Sequence, residues 1–244
     1  EAVVDAIAAA VRASIGEAGI DVAQLAAIGV SAPGPIDTHE GVITDPPNLR
    51  GWHNVPLAAL LRERLGAPVS LENDANCGAI GEHAFGAGRD CRHMIYLTVS
   101  TGIGGGIIID NELYTGASGA AGELGHLIVA AEGPSCGAGH AGCLEAFASG
   151  AGIAHRAAEA IAAGRLPRTA RLAERNPPLT AETVYLAGQE REAEAAALIA
   201  TAGRYLGMGL ASIISAFNPQ AVVIGGGLVN MGDALLGPAI ETAR

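Results

Sequence analysis

Strands alternating with helices along the chain predict an α/β protein. Two further observations point the same way. Short apolar stretches at residues 26–31 (AAIGVS), 94–99 (MIYLTV) and 221–224 (AVVI) each run into a turn rich in glycine or proline. Segments of helical period lie between them. With 244 residues the chain has length for one large domain or two small ones, and enough for a packed core.

Residues 3–15 (VVDAIAAAVRASI) carry apolar side chains at helical spacing, and Gly16 and Gly19 end that run. The strand at 26–31 closes on Ala32-Pro33-Gly34-Pro35. Residues 56–65 read as a short helix, 68–72 (PVSLE) as a strand, and 74–85 as a helix following it directly. After the strand at 94–99 come STGIGGG and a second strand at 106–109; Asp110-Asn111 is a tight turn into a third strand at 112–115. A Gly/Ala-rich loop, the segment GELGHLIV and a cysteine-bearing loop follow. Helices are expected at about 144–163 and, after a proline-rich loop, at about 181–217, where Asn218-Pro219 stops the last. The strand at 221–224, a Gly225-Gly226-Gly227 turn and a helix at 232–243 come last. The polar, glycine-rich stretch 86–93 (GAGRDCRH) lacks a period. It marks the expected boundary between a small domain over residues 1–92 and a larger one over residues 93–244.

Half of the residues are hydrophobic but only 3% are aromatic, so the core is built from Ala, Leu, Ile and Val. The net charge of −11 argues against a nucleic-acid partner, whose recognition needs a basic patch. No apolar run reaches the ~18 residues of a membrane span, and no charged-then-apolar signal opens the chain. A soluble, cytoplasmic protein without a membrane partner is expected. Four cysteines in a chain of this length are not a disulfide framework. There is no lysine: all 14 basic residues are arginine. A Walker-type phosphate loop needs its lysine, so that class of nucleotide enzyme is excluded.

Five segments carry chemistry. In Thr98 to Gly106 (TVSTGIGGG) a strand feeds a glycine turn and a second strand. Glycines let backbone N–H groups surround an oxyanion, and Ser100 and Thr101 add hydroxyl donors; a ligand-free hairpin is the alternative. Glu72-Asn73-Asp74-Ala75-Asn76 lies where a strand ends and a helix begins. Ligands gather at such carboxyl ends, and a carboxylate there takes a proton from a hydroxyl nucleophile. From its neighbours alone Asp74 reads as a helix cap rather than a base. Gly122-Glu123-Leu124-Gly125-His126 offers two groups to a polyol. Cys136 and Cys143, with His140 between them and His126 upstream, suit a soft metal such as Zn²⁺, or are buried free thiols. Gly225-Gly226-Gly227 either admits an adenosine or is a plain turn.

Taken in order, APGPID (32–37), PPNLRGW (46–52), ENDAN (72–76), STGIGGGI (100–107), GELGH (122–126), CGAGHAGCLEAFASG (136–150) and VVIGGG (222–227) resemble the ROK family. That family comprises bacterial glucokinases, fructokinases and N-acylhexosamine kinases, with sugar-responsive repressors of the same fold. The resemblance implies the ribonuclease-H-like fold of actin and hexokinase, with two α/β domains closing over a cleft for sugar and ATP. It implies an ATP-dependent hexose kinase, a glucokinase by first expectation, with Asp74 as general base for the sugar 6-hydroxyl. Asn48, Asn73, Glu123, His126 and Glu145 would hold other hydroxyls. Ser100, Thr101, Gly102 and Gly104 would face the ATP phosphates with Mg²⁺, and Gly225, Gly226 and Gly227 the adenosine. Family members are dimers or tetramers, so a homo-oligomer is expected.

The sequence departs from the family in two places. The family opens with an Asp-x-Gly-Gly-Thr phosphate hairpin ahead of the first helix and continues beyond the last; neither part is in these residues, so a fragment with its N-terminal strands missing is expected. The family's zinc loop reads Cys-x-Cys-Gly-x-x-Gly-Cys, and Ala138 stands at its middle cysteine. The ligands implied are His126, Cys136 and Cys143, leaving His140 to substitute or the site empty. Two alternatives to glucokinase remain: a sugar-binding transcriptional repressor, and a kinase for an N-acylhexosamine or fructose.

Overall fold

The computed structural model describes residues 1–46 and 49–244. Its backbone contacts fall into two compact units, Glu1–Cys77 with Thr115–Ala121, and Gly78–Tyr114 with Gly122–Arg244. The class is α/β in both.

The first unit holds helix α1 (Ala2–Glu17), strands β1 (Ile28–Ala32), β2 (Ile36–Asp37) and β3 (Val42–Ile43), helix α2 (Leu57–Leu65) and strand β4 (Val69–Asn73). β1 and β4 pair in parallel, from Ile28 opposite Val69 to Ala32 opposite Asn73. Helices α1 and α2 cover this pair. Val4 and Ala8 of α1 meet Leu57, Leu61 and Leu65 of α2 above Val69 and Leu71, with Trp52 packed at the margin. Leu61 is fully buried, which stabilises the unit by about 2 kcal/mol. Gly66 ends α2 in the left-handed conformation at φ +71°, the usual office of glycine there. The β2–β3 hairpin, with Ile36 opposite Ile43, was not expected from the sequence; two-residue strands are too short to show a period.

Helix α3 (Asp74–Ala84) starts at the residue after β4, as expected. The second unit is built on strands β5 (Met94–Val99), β6 (Ile103–Ile109), β7 (Glu112–Leu113) and β8 (Ala221–Gly225), ordered β7-β6-β5-β8. β6 is antiparallel to β5, β8 parallel to it. Helices α4 (Leu144–Ala148), α5 (Gly150–Ala162), α6 (Pro167–Arg175), α7 (Ala181–Gln189), α8 (Ala193–Phe217) and α9 (Asp233–Ala243) complete it. Ile95, Leu97 and Val99 of the sheet are buried with Leu144, Ile153, Val184, Ile199, Leu206 and Leu235. α8 and α9 approach closely at Gly203 and Gly207, where a Cβ would overlap the carbonyls of Leu235 and Ala239.

The helix expected over 144–163 is two helices. Ser149 is extended between them, and its hydroxyl accepts the Gly152 N–H at 3.0 Å, capping α5. The helix expected over 181–217 is also two, parted where Arg191 takes φ +71°. The proline-rich loop before it contains α6, with Pro167 in its first turn. α8 corrects a further expectation: by length and composition it is a helix that could cross a membrane. Glu194 and Arg204 divide its apolar run, which hid that property; here its face of Ile199, Leu206, Leu210 and Ile213 belongs to the core.

Candidate active site

The turn from β5 to β6 is tight. Ser100 N–H donates to the Gly102 carbonyl at 2.9 Å, and the next pair in register is Val99 opposite Ile103. Helix α5 braces the turn: Gly150 N–H donates to Ser100 O at 2.8 Å, and Ala151 N–H to Thr101 O at 3.0 Å. From α4, the Glu145 carboxylate accepts the Ile103 N–H at 2.9 Å. A Cβ on Gly102 would lie 2.7 Å from the same Glu145 oxygen, so the carboxylate approaches only because residue 102 is glycine. Among the described residues, the amides of Thr101 and Gly102 find no acceptor. Two such N–H groups on a braced turn, with the Thr101 hydroxyl exposed beside them, suit a phosphate oxygen.

The turn after β8 adjoins this one, because β8 lies parallel to β5 with Gly225 opposite Thr98. Gly226 takes φ +92°, and a Cβ there would overlap the Val99 carbonyl. On Gly225 a Cβ would meet the Tyr96 hydroxyl oxygen at 2.6 Å. Both glycine turns therefore meet at the carboxyl ends of two neighbouring parallel strands, where α/β sheets bind ligands.

The segment 122–126 runs against β6. A Cβ on Gly125 would overlap the Ile103 carbonyl, and Leu124 is buried, which leaves Glu123 exposed and His126 half-buried. His126 turns one face to Glu123 (Nε2 to Oε2, 3.8 Å) and the other to Cys136 (Nδ1 to Sγ, 3.8 Å). The donor atoms of His126, Cys136 and Cys143 lie within 4.8 Å of one another. Two sulfurs and an imidazole nitrogen are the donor set of structural zinc, and these residues fit it. Burial, and then the neighbouring Cys136, push the Cys143 thiol above its ordinary value. Cys143 immediately precedes α4, so the cysteine loop and Glu145 are fixed by one short helix.

In the first unit, the junction of β4 with α3 answers the question of which residue caps the helix. Asn73 Oδ1 accepts from Ala75 N–H at 2.9 Å and Asn76 N–H at 3.3 Å. Asp74 Oδ1 accepts one bond, from Ala75 N–H at 2.9 Å, and its side chain faces solvent. Glu72 accepts from Asn73 N–H at 2.8 Å and from Asn76 Nδ2 at 2.9 Å. Asn73 is thus the cap, and Asp74, in the first turn, keeps a carboxylate oxygen without a partner among the described residues, beside the positive end of a helix dipole.

The sequence profile of the ROK family matches residues 1–243. The chain belongs to the ROK family. The glucokinase of Thermotoga maritima is 40% identical over 216 residues, covering 88% of this chain and 68% of that protein. The crystal structure of the ROK hexokinase from Thermus thermophilus superposes with a TM-score of 0.83 at 38% identity, covering 99% of this chain and 76% of its own. The xylose repressor of Bacillus subtilis is 34% identical over 200 residues, covering 82% of this chain and 48% of the repressor. The fold of the ROK hexokinases is therefore the fold of this chain, spread here over about two thirds to three quarters of such a kinase's length.

Of the positions that ROK-family resemblance singles out, the second unit gathers Ser100, Thr101, Gly102, Gly104, Glu123, His126, Glu145 and Gly225 to Gly227 around the ends of β5, β6 and β8. Asn73 and Asp74 lie in the first unit, and Asn48 lies outside the described residues. Sequence reasoning missed three residues. Asn76 is 3% exposed and its Oδ1 has no partner among the described residues; its place three positions after Asn73 in ENDAN was the available signal. Glu72 orients both asparagines. Arg156 is half-buried, packs on the Phe147 ring and donates to the Phe147 carbonyl at 2.7 Å, which ties the end of α4 to α5. Burial lowers its pKa. No local sequence signal announces it.

Proposed function

We propose that this chain belongs to an ATP-dependent hexose kinase of the glucokinase kind. The observation that carries the reading is the meeting of two glycine turns, one with amides that find no acceptor among the described residues, at the ends of β5 and β8. Asp74 is the proposed base. Its carboxylate takes the proton of the sugar 6-hydroxyl as that oxygen forms its bond to the γ-phosphorus of ATP. The bond from that phosphorus to the β-phosphate oxygen breaks, and ADP leaves with the electron pair. Helix α3 supports the role, since its first turn holds that carboxylate at the carboxyl end of β4.

Asn73 keeps its Nδ2 for a sugar hydroxyl while Oδ1 caps the helix; a Cβ on Gly34 would stand 3.2 Å from that nitrogen. Glu123, His126 and the second oxygen of Glu145 hold further hydroxyls, and Asn48 completes the proposed set. Thr101, Gly102 and Gly104, with the Ser100 hydroxyl, receive the phosphates. Gly225 to Gly227 receive the adenosine. Mg²⁺ on the nucleotide supplies charge neutralisation. Zinc on His126, Cys136 and Cys143 would fix the His126 tautomer and aim its Nε2 at the substrate. A cytoplasmic homodimer or homotetramer, and a domain division at residues 86–93, belong to the same proposal. Limited proteolysis distinguishes a boundary there from one near Cys77.

The likeness to a xylose repressor favours a second reading, a sugar-binding regulator. Phosphate transfer from ATP to glucose, measured on the full gene product, separates the two. A kinase turns over glucose, and Asp74→Asn keeps sugar affinity while kcat falls by about 10²–10⁴-fold. Sugar binding with no transfer by the unaltered protein would leave the repressor reading standing, and unchanged kcat in Asp74→Asn would remove Asp74 from the base role.

A further inference from the structure

We infer that His140 is the fourth protein ligand of the metal site, replacing the thiol that Ala138 lacks. The inference rests on the proposed metal reading and adds to it a residue that the three-donor cluster leaves out.

The geometry points to His140 in three steps. First, the cysteine loop folds back on itself: Ser135 bridges Ala141, Cys136 N–H donates to the His140 carbonyl at 3.0 Å, and Gly139 N–H donates to the Cys136 carbonyl at 2.9 Å. Cys136 and His140 are thereby held across from each other, while Ala138 is carried to the exposed tip. Its methyl group offers no donor atom. Second, Cys136 Sγ lies 3.8 Å from His126 Nδ1 and 3.7 Å from His140 Nδ1. A tetrahedron with Zn–S of ~2.3 Å and Zn–N of ~2.0 Å has sulfur–nitrogen edges of about 3.5 Å. Both distances are long for a hydrogen bond and right for two such edges sharing one sulfur. Third, the two imidazoles are neighbours, with ring centres 4.4 Å apart and planes at 61°. Two bases side by side on one thiol gain little from each other, whereas both gain from a cation between them.

His140 stands outside the trio whose donors are mutually within 4.8 Å. Its side chain is exposed, and its turn includes Gly139 at φ +87° and Gly142 at φ +71°. Joining that trio therefore requires the His140 imidazole to turn about its side-chain bonds, from a loop position that is exposed. The product is a two-cysteine, two-histidine site closed by protein alone, which is the structural class.

The test is zinc affinity by chelator competition, with X-ray absorption at the zinc edge, on the full gene product. The unaltered protein is expected to bind one zinc with two sulfur and two nitrogen neighbours. His140→Ala, a change at an exposed position, should weaken zinc by at least about tenfold and exchange one nitrogen for a water oxygen. Adding Ala138→Cys to that variant should restore tight binding with three sulfurs. Unchanged affinity and an unchanged neighbour set in His140→Ala would overturn the assignment of His140 while leaving the metal reading intact. A protein that takes up no zinc would overturn both.

Discussion

Asn73 and Asp74 are adjacent in the chain and have parted company in the fold. Asn73 spends its carbonyl oxygen on two amides of α3, and Asp74 accepts a single bond. Local sequence could not divide these offices, because Asn and Asp cap helices equally well and both stand at the junction. The glycines were more legible, since a run of three after a buried strand announces a close approach. Which glycine is indispensable was not legible, because it depends on a carbonyl from another strand. Gly226→Ala places a methyl group on the Val99 carbonyl at φ +92°, and should lower stability by about 1–3 kcal/mol in urea denaturation. Gly227 has ordinary φ and only Ser100 Oγ at 3.9 Å, so Gly227→Ala should leave stability within about 0.5 kcal/mol. Equal losses in the two variants would show that strain at residue 226 is not the cause.

At the scale of elements, strands β4, β5 and β8 and helices α1, α2, α3 and α9 fall within a few residues of where periodicity puts them. The long helices failed for a physical reason: apolar spacing continues across Ser149, and the polar run 189–192 (QERE) is made of good helix formers that announce no break at Arg191, so two helices are run together. Helix α6 failed for another. Its own N-cap position is Leu166, which offers no acceptor. The acceptor comes from Glu192, more than 20 residues on, whose carboxylate takes the amides of Arg168 at 2.8 Å and Thr169 at 3.0 Å. Burial would raise the Glu192 pKa, but the Thr169 hydroxyl and these two amides outweigh it and hold the carboxyl below its ordinary 4.5. A depressed folded value means that the stabilisation is fully present above pH 4.5 and is lost as pH falls through the lower value. Glu192→Ala should therefore cost about 1 kcal/mol at neutral pH and nothing in strong acid. A stability difference that persists unchanged at the acid end would sink the capping account.

For the whole molecule, family membership was legible because seven short motifs keep one order over most of the chain, although each alone admits a plain structural reading. The metal group was half legible: spacing pointed to Cys136 and Cys143 with His140 between them and His126 upstream, and the family resemblance implied His126, Cys136 and Cys143, while the approach of His140 to Cys136 needed the folded loop. A ligand that binds only the native state stabilises it by mass action. Zinc at a hundred times its dissociation constant should add about 2.7 kcal/mol. For a protein of this size that raises Tm by about 5–10 °C, and the rise should vanish with a chelator. A Tm indifferent to zinc would count against a folded-state site.

Trp52 packs at the edge of the α1–α2 core in the first unit, and it is the one tryptophan in the chain. All four tyrosines, Tyr96, Tyr114, Tyr185 and Tyr205, lie in the second. The two units therefore carry different chromophores by birth. Ultraviolet light of a wavelength that excites indole but not phenol reads the first unit alone, while tyrosine absorbance reads the second, where Tyr205 stacks on Phe147 at 3.8 Å. A sugar that perturbs the emission and a nucleotide that perturbs the absorbance could be followed in one cuvette, without a label.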